Sequence, residues 1–221
     1  MTAVAAHDTA HLFSGLWRDY LIVLGAIGVL VVLAILFAAV RFRRREDARW
    51  PGGRATAPRL EVAYVVVIAL VVVCLLTLTL RTESKIDSLS NRPALRIGVT
   101  AFQWQWRFAY PNGATVVGGN AVSSRPHLPT LVVPQGEVVE FSLRSADVLH
   151  EMFIPAMRFK RYAFPNYTNR FDLVFPDTGR LTGACAQFCG LGHAQMRFNV
   201  LVLSPGRFRA WLASRASGGS A

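Results

Sequence analysis

The sequence predicts two membrane-spanning helices followed by an exposed all-β domain of the Greek-key sandwich or barrel type. Three observations predict it. Two uncharged apolar runs lie near the N-terminus, an Arg-rich stretch separates them, and the C-terminal half consists of short β-branched or aromatic segments broken by Pro, Gly and Asn. The composition agrees: 52% hydrophobic content with five Trp is too apolar for an ordinary soluble domain, while 17% charge is too much for a wholly buried one.

Residues 1–18 read as an outer tail. They contain no basic region ahead of an apolar core and no small-residue cleavage site, so a cleaved signal is not expected. The first span runs from Tyr20 to Val40, about 30 Å as a helix and long enough to cross a bilayer. Arg41, Arg43, Arg44, Arg45, Arg49, Arg54 and Arg59 follow, offset only by Glu46 and Asp47. The positive-inside bias keeps this 41–59 loop cytoplasmic, and beside a span such a cluster is not read as a nucleic-acid patch. Val62 to Leu80 forms the second span, which closes a 19–80 helical hairpin and places both termini on the outer face of a cell membrane. Cys74, in the middle of that span, reads as structural or lipid-facing. Glu61, at its cytoplasmic edge, reads either as an interfacial carboxylate or as part of a proton path.

Residues 81–95 are polar and form the expected tether to a domain at 96–204. Strands are expected at Ala94 to Thr100, Trp104 to Tyr110, Thr130 to Val133, Val138 to Leu143, Asn169 to Phe175, Leu181 to Ala186 and Arg197 to Leu203. The alternation of Phe102, Trp104, Trp106 and Phe108 is that of one buried strand face. Residues 205–221 close the chain with a short amphipathic helix at Pro205 to Ala216, apolar along Phe208, Trp211 and Leu212, and a frayed Ser-Gly-Gly-Ser end.

The chemistry concentrates in Cys185-Ala-Gln-Phe-Cys189-Gly-Leu-Gly-His193-Ala-Gln-Met196. Thiolate and thioether are soft ligands that select copper, and zinc has little use for the Met. A mononuclear blue-copper site needs one Cys, so the second thiol asks for another explanation, and two thiolates bridging two copper ions is one. A disulfide between Cys185 and Cys189 is an alternative that leaves His193 and Met196 unexplained. An amphipathic helix is another, since spacings of four, four and three share a helical face, but Gly190 and Gly192 suit a turning loop better. A further ligand is expected from elsewhere in the domain. His150 is the best candidate, because it follows a predicted strand in Ser145-Ala-Asp-Val-Leu-His150. His127 lies between prolines and reads as surface, while His7 and His11 belong to the outer tail.

Two N-terminal spans, a Gln-Trp-x-Trp segment, a Ser-Ala-Asp-Val-x-His segment and a Cys-x-x-x-Cys-Gly-x-x-His-x-x-Met loop together resemble subunit II of the haem-copper cytochrome c oxidases, from about residue 20 to residue 213. The resemblance implies a cupredoxin-like domain carrying the dinuclear copper centre CuA. In that centre Cys185 and Cys189 bridge both coppers, His150 and His193 each cap one, and Met196 and the backbone carbonyl of Gln187 complete the two spheres. It further implies that Trp104 accepts the electron from cytochrome c, that haem in subunit I receives it and reduces dioxygen to water, and that Glu61 stands near the mouth of a proton-uptake path.

Two departures matter. Many family members have Glu where this chain has Gln187, and they use its carboxylate for a magnesium ion against subunit I; the amide removes that carboxylate, which puts the magnesium site in doubt. Family members also present acidic groups to a basic cytochrome c, yet residues 91–221 hold 14 Arg or Lys against 6 Asp or Glu. That balance points to an acidic or tethered cytochrome as donor. Quinol oxidase second subunits lack the ligands retained here, and nitrous oxide reductase lacks the spans. A CuA-type nitric oxide reductase subunit and a membrane-anchored copper carrier remain as alternative functions. The excess of Arg over Lys points to a GC-rich bacterial genome.

Overall fold

The structure, a computed structural model, describes residues 8–43, 57–118 and 127–216. His7 and most of the Arg-rich loop, including Arg44, Arg45, Arg49 and Arg54, lie outside the described residues. The chain divides into a helical unit at Ser14–Thr82 and a second unit that contains the β domain.

Two helices, α1 (Thr9–Arg41) and α2 (Pro58–Ile86), are long and apolar enough to cross a membrane. Their apolar side chains face outward, as the spans of a membrane protein require. Several polar groups are satisfied locally. Thr77, Thr79 and Thr82 donate to carbonyls one turn back at 2.7, 2.9 and 3.0 Å, and the Tyr20 hydroxyl meets both the Thr79 hydroxyl and, at 3.3 Å, the Leu75 carbonyl. Both helices outrun the spans expected from hydropathy. The Asp8 carboxylate caps α1 by accepting the His11 N–H at 3.1 Å, so helix begins at Thr9, inside the stretch read as a tail. Likewise, the first part of the expected 81–95 tether is helical through Ile86. Hydropathy marks where a bilayer is crossed, whereas helix continues through residues such as Glu83 and Lys85 that favour it without being apolar. Pro58 opens α2, and the Glu61 carboxylate accepts the Ala57 N–H at 3.2 Å across its first turn.

The second unit contains β1 (Leu95–Phe102), β2 (Gln105–Ala109), β3 (Thr115–Val117), β4 (Thr130–Pro134), β5 (Val138–Ser145), β6 (His150–Ile154), β7 (Phe159–Ala163), β8 (Asn169–Val174), β9 (Gly179–Cys185), β10 (Arg197–Leu203) and the closing helix α3 (Pro205–Ala216). They form two five-stranded sheets, ordered β3-β2-β1-β5-β8 and β4-β10-β9-β6-β7. Each sheet contains one parallel pair, β1 with β5 and β4 with β10, in an otherwise antiparallel arrangement.

The β class is as expected, and the differences are local. Strands β3, β6 and β7 were not predicted, because β3 is short and the Lys160-Arg161 pair hides the alternation of β7. His150 follows β5, as expected, but it also opens a further strand, β6. Trp104 does not share the buried face of Trp106 and Phe108: it lies in the turn between β1 and β2, only partly buried.

The core forms where inward residues of both sheets meet. Leu95, Ile97, Val99 and Ala101 alternate inward along β1. Phe198 of β10 meets the rings of Trp106 and Phe108 edge-on at centroid separations of 5.3 and 5.5 Å. Its cross-strand partner is Gly183, where a Cβ would lie 2.0 Å from the Phe198 Cζ, so the ring occupies the space a side chain would take. Tyr110 anchors the closing helix. Its hydroxyl donates to the Val132 carbonyl at 3.0 Å and accepts the Val132 N–H at 2.8 Å, while its ring packs against Trp211 at 5.0 Å.

Candidate metal centre

Strand β9 ends at Cys185 and β10 starts at Arg197, so the loop between them is held at its neck by sheet pairing. The Cys185 N–H donates to the Met196 carbonyl at 2.9 Å, which closes the loop on itself. Within it, Gly190 takes φ +113°, a conformation that strains residues with a Cβ, and the chain then makes a single 3-10 turn at His193–Gln195. The helix alternative is therefore excluded. The disulfide alternative is not realised either, since both cysteines are free with their sulfurs 3.8 Å apart.

The loop and β6 together gather six donors. Around the sulfur pair, His150 Nδ1 lies 3.8 Å from Cys185 Sγ and His193 Nδ1 lies 3.7 Å from Cys189 Sγ. Met196 Sδ is 3.8 Å from Cys189 Sγ, and the Gln187 carbonyl oxygen is 3.2 Å from Cys185 Sγ. Ligand atoms of His150, Cys185 and Cys189 all fall within 4.8 Å of one another. His150, Cys185, Cys189 and Met196 are buried, and His193 is half-buried. Two thiols, two imidazoles, a thioether and a carbonyl in a largely buried cluster fit copper better than zinc or a hard cation.

Electrostatics separate the two thiols. Burial opposes ionisation of Cys185, but hydrogen bonds from His150 and the backbone around it outweigh burial and bring the thiol down to about 7. Burial and the neighbouring Cys185 thiolate push Cys189 up to about 12. Like charges at this distance resist a second ionisation, which a cation between the sulfurs would relieve. A pH prediction follows. A depressed thiol adds stability above its unfolded value and loses it as pH falls through its folded value, so the Cys185 contribution to the stability of the metal-free chain should fade as pH is lowered through about 7. Denaturation midpoints of the wild type and Cys185→Ser across that range check it, the gap between the two being expected to shrink as pH falls.

Neighbouring side chains fix the donors. Trp106 Nε1 donates to the Met196 carbonyl at 3.5 Å. Gln103 Nε2 and Trp104 Nε1 both donate to the Cys189 carbonyl, at 2.8 and 3.0 Å. The Trp104 indole packs against the loop: a Cβ at Gly192 would approach it to 2.6 Å. Sequence reasoning missed Asp147 as a functional residue, although it stands three positions before His150; its carboxylate meets His150 Nε2 at 2.8 Å. Burial raises the Asp147 pKa, but the Gln103 amide, His150 and the Val148 amide lower it further, so it stays below the usual carboxylate range. His150 is raised despite burial, because Cys185 and Asp147 both favour its protonated form. His127 and His11 are exposed and take no part in the cluster. Glu61 belongs to the helical unit and is not part of it.

Fold and site define a membrane-anchored β-sandwich protein with a buried soft-donor site of the copper-protein kind. Known proteins point the same way. The family described as cytochrome C oxidase subunit II, periplasmic domain, matches residues 95–203. A probable cytochrome c oxidase subunit 2 from Streptomyces avermitilis is 32% identical, covering 94% of this chain and 75% of that one. A cytochrome c oxidase subunit 2 from Mycobacterium bovis is 29% identical, with coverage of 95% and 73%. Among solved structures, the periplasmic domain of subunit II of cytochrome oxidase from Bradyrhizobium japonicum superimposes with a TM-score of 0.52 at 27% identity, covering 58% of this chain and 98% of that one. The chain belongs to the cytochrome c oxidase subunit 2 family. Its β domain is cupredoxin-like, its relatives are named as part of an oxidase, and the family implies copper.

Proposed function

We propose that this chain is the electron-accepting subunit of a cytochrome c oxidase and that its Cys loop holds a dinuclear CuA centre. The observation that carries the reading is the convergence of His150, Cys185, the Gln187 carbonyl, Cys189, His193 and Met196. Cys185 and Cys189 would bridge, His150 and His193 would each cap through Nδ1, and Met196 and the Gln187 carbonyl would complete the set. When bound, the copper pair supplies a site that takes up and releases one electron with little rearrangement. The residues around it exclude water and hold the donors still, which keeps that rearrangement small. Gln187 offers an amide where a magnesium ion would want a carboxylate, so magnesium is not part of the proposal.

Trp104 is the proposed point of electron arrival from cytochrome c. Contact of its ring with Gly192 and its hydrogen bond to the Cys189 carbonyl support a short path to the thiolate. Haem in oxidase subunit I is the proposed acceptor, with other oxidase subunits alongside, and Glu61 is the proposed proton-uptake residue at the inner edge of α2. The domain and both termini face outward, with the Arg-rich loop inside. The donor is acidic or tethered, given the 14 to 6 excess of basic over acidic residues in 91–221. Association with a basic cytochrome c should accordingly not slow as salt is added, and marked slowing in stopped-flow traces would count against this donor class.

Copper stoichiometry with electron paramagnetic resonance on the full chain in detergent tests the reading. Two coppers sharing one unpaired electron are expected; one copper, zinc or no metal would overturn it. Met196→Leu should keep both coppers and shift the reduction potential, because a thioether is a weak donor that would tune the metal more than hold it. Loss of all copper in that variant would contradict the role.

A further inference from the structure

We propose that Asp147 is a positioning residue: it decides which ring nitrogen His150 presents to the metal and ties the Gln103–Trp104 turn to that same ligand. The proposal rests on reading His150 as a ligand, and it concerns a residue outside the ligand set. His150 is fully buried, so no bulk water competes for its ring. Its Nε2 lies 2.8 Å from Asp147 Oδ1, and its Nδ1 points to Cys185 Sγ. A carboxylate only accepts hydrogen bonds, so the proton sits on Nε2 and the Nδ1 lone pair is left facing the thiols.

The same carboxylate has other donors. Oδ1 also accepts the Val148 N–H at 2.6 Å and the Ser145 hydroxyl at 3.3 Å, while Oδ2 accepts the Gln103 N–H at 2.7 Å. Gln103 and Trp104 in turn donate to the Cys189 carbonyl. Asp147 therefore closes a chain of hydrogen bonds from His150 through the Gln103–Trp104 turn to Cys189, joining one ligand from β6 to another from the loop. Only a carboxylate suits this place. His150 and the Gln103 amide both donate, to different oxygens, so an amide side chain would face one of them with its own N–H groups.

Histidine-selective nitrogen NMR of the metal-free full chain, at alkaline pH where imidazole is neutral, reads the tautomer directly. The wild type should carry the His150 proton on Nε2, and Asp147→Ala should shift the population toward the Nδ1 proton. Copper affinity, measured by competition with a chelator, should fall about 10- to 100-fold in Asp147→Ala. Asp147→Asn, which keeps the shape and one acceptor, should recover part of both signals. That graded rescue separates positioning from a mere loss of fold, and Asp147→Asn carries the test if the alanine variant does not fold. An Nδ1 proton in the wild type, or an unchanged tautomer and affinity in the variants, would overturn the proposal. A wild type that binds no copper pair while its tautomer responds to Asp147 would instead overturn the functional reading alone.

Discussion

Cys185→Ser and Cys189→Ser should each abolish the dinuclear copper signal, with copper falling below two per chain. The sulfurs sit 3.8 Å apart, each with an imidazole nitrogen within 3.8 Å, so each thiol faces both the other thiol and an imidazole. A serine hydroxyl is a hard, neutral donor at any working pH and cannot supply a soft anionic bridge. The substitution barely changes volume and the domain should still fold, so the loss is one of chemistry. Copper counting with electron paramagnetic resonance on each variant checks it; a normal mixed-valence spectrum in either would end the bridging assignment.

Phe198→Ala should destabilise the β domain by about 3–5 kcal/mol, the usual cost of removing a fully buried aromatic ring. Phe198 is fully buried, touches Trp106 and Phe108 edge-on, and covers Gly183 across the strand pair. Gly183→Ala attacks the same contact from the other side, because its Cβ would lie 2.0 Å from the ring, and overpacking of this kind costs about 1–3 kcal/mol. The double variant should lose less than the sum, since removing the ring makes room for the methyl. Denaturant midpoints of the four proteins form the cycle. Additivity would show that the ring and the glycine do not share the space assigned to them.

Much of the candidate site was legible because its donors are clustered in the chain. Cys185, Cys189, His193 and Met196 fall within one loop, and their softness names a metal class without any structure. The spans were equally plain, since an apolar run is a one-dimensional signal. Boundaries were less so: α1 and α2 outrun their apolar runs, and β7 was hidden by Lys160 and Arg161. Trp104 was grouped with Trp106 and Phe108 by alternation, but the turn at Gln103 removes it from the strand and lays it on the loop glycines. Alternation cannot register a turn that interrupts it.

The sequence by itself determined the membrane anchor, the β class of the domain, the identity of the soft donors and the family resemblance, all of which depend on residue type and spacing along the chain. Only the tertiary structure decided that β6 lies against β9, that His150 reaches Cys185, that burial and neighbours lower one thiol and raise the other, and that Asp147 joins His150 to Gln103. The reason is physical. Composition and periodicity act over a few residues, whereas ligand geometry, burial and shared hydrogen bonds arise between segments brought together by sheet pairing, where distances along the chain no longer measure distances in space.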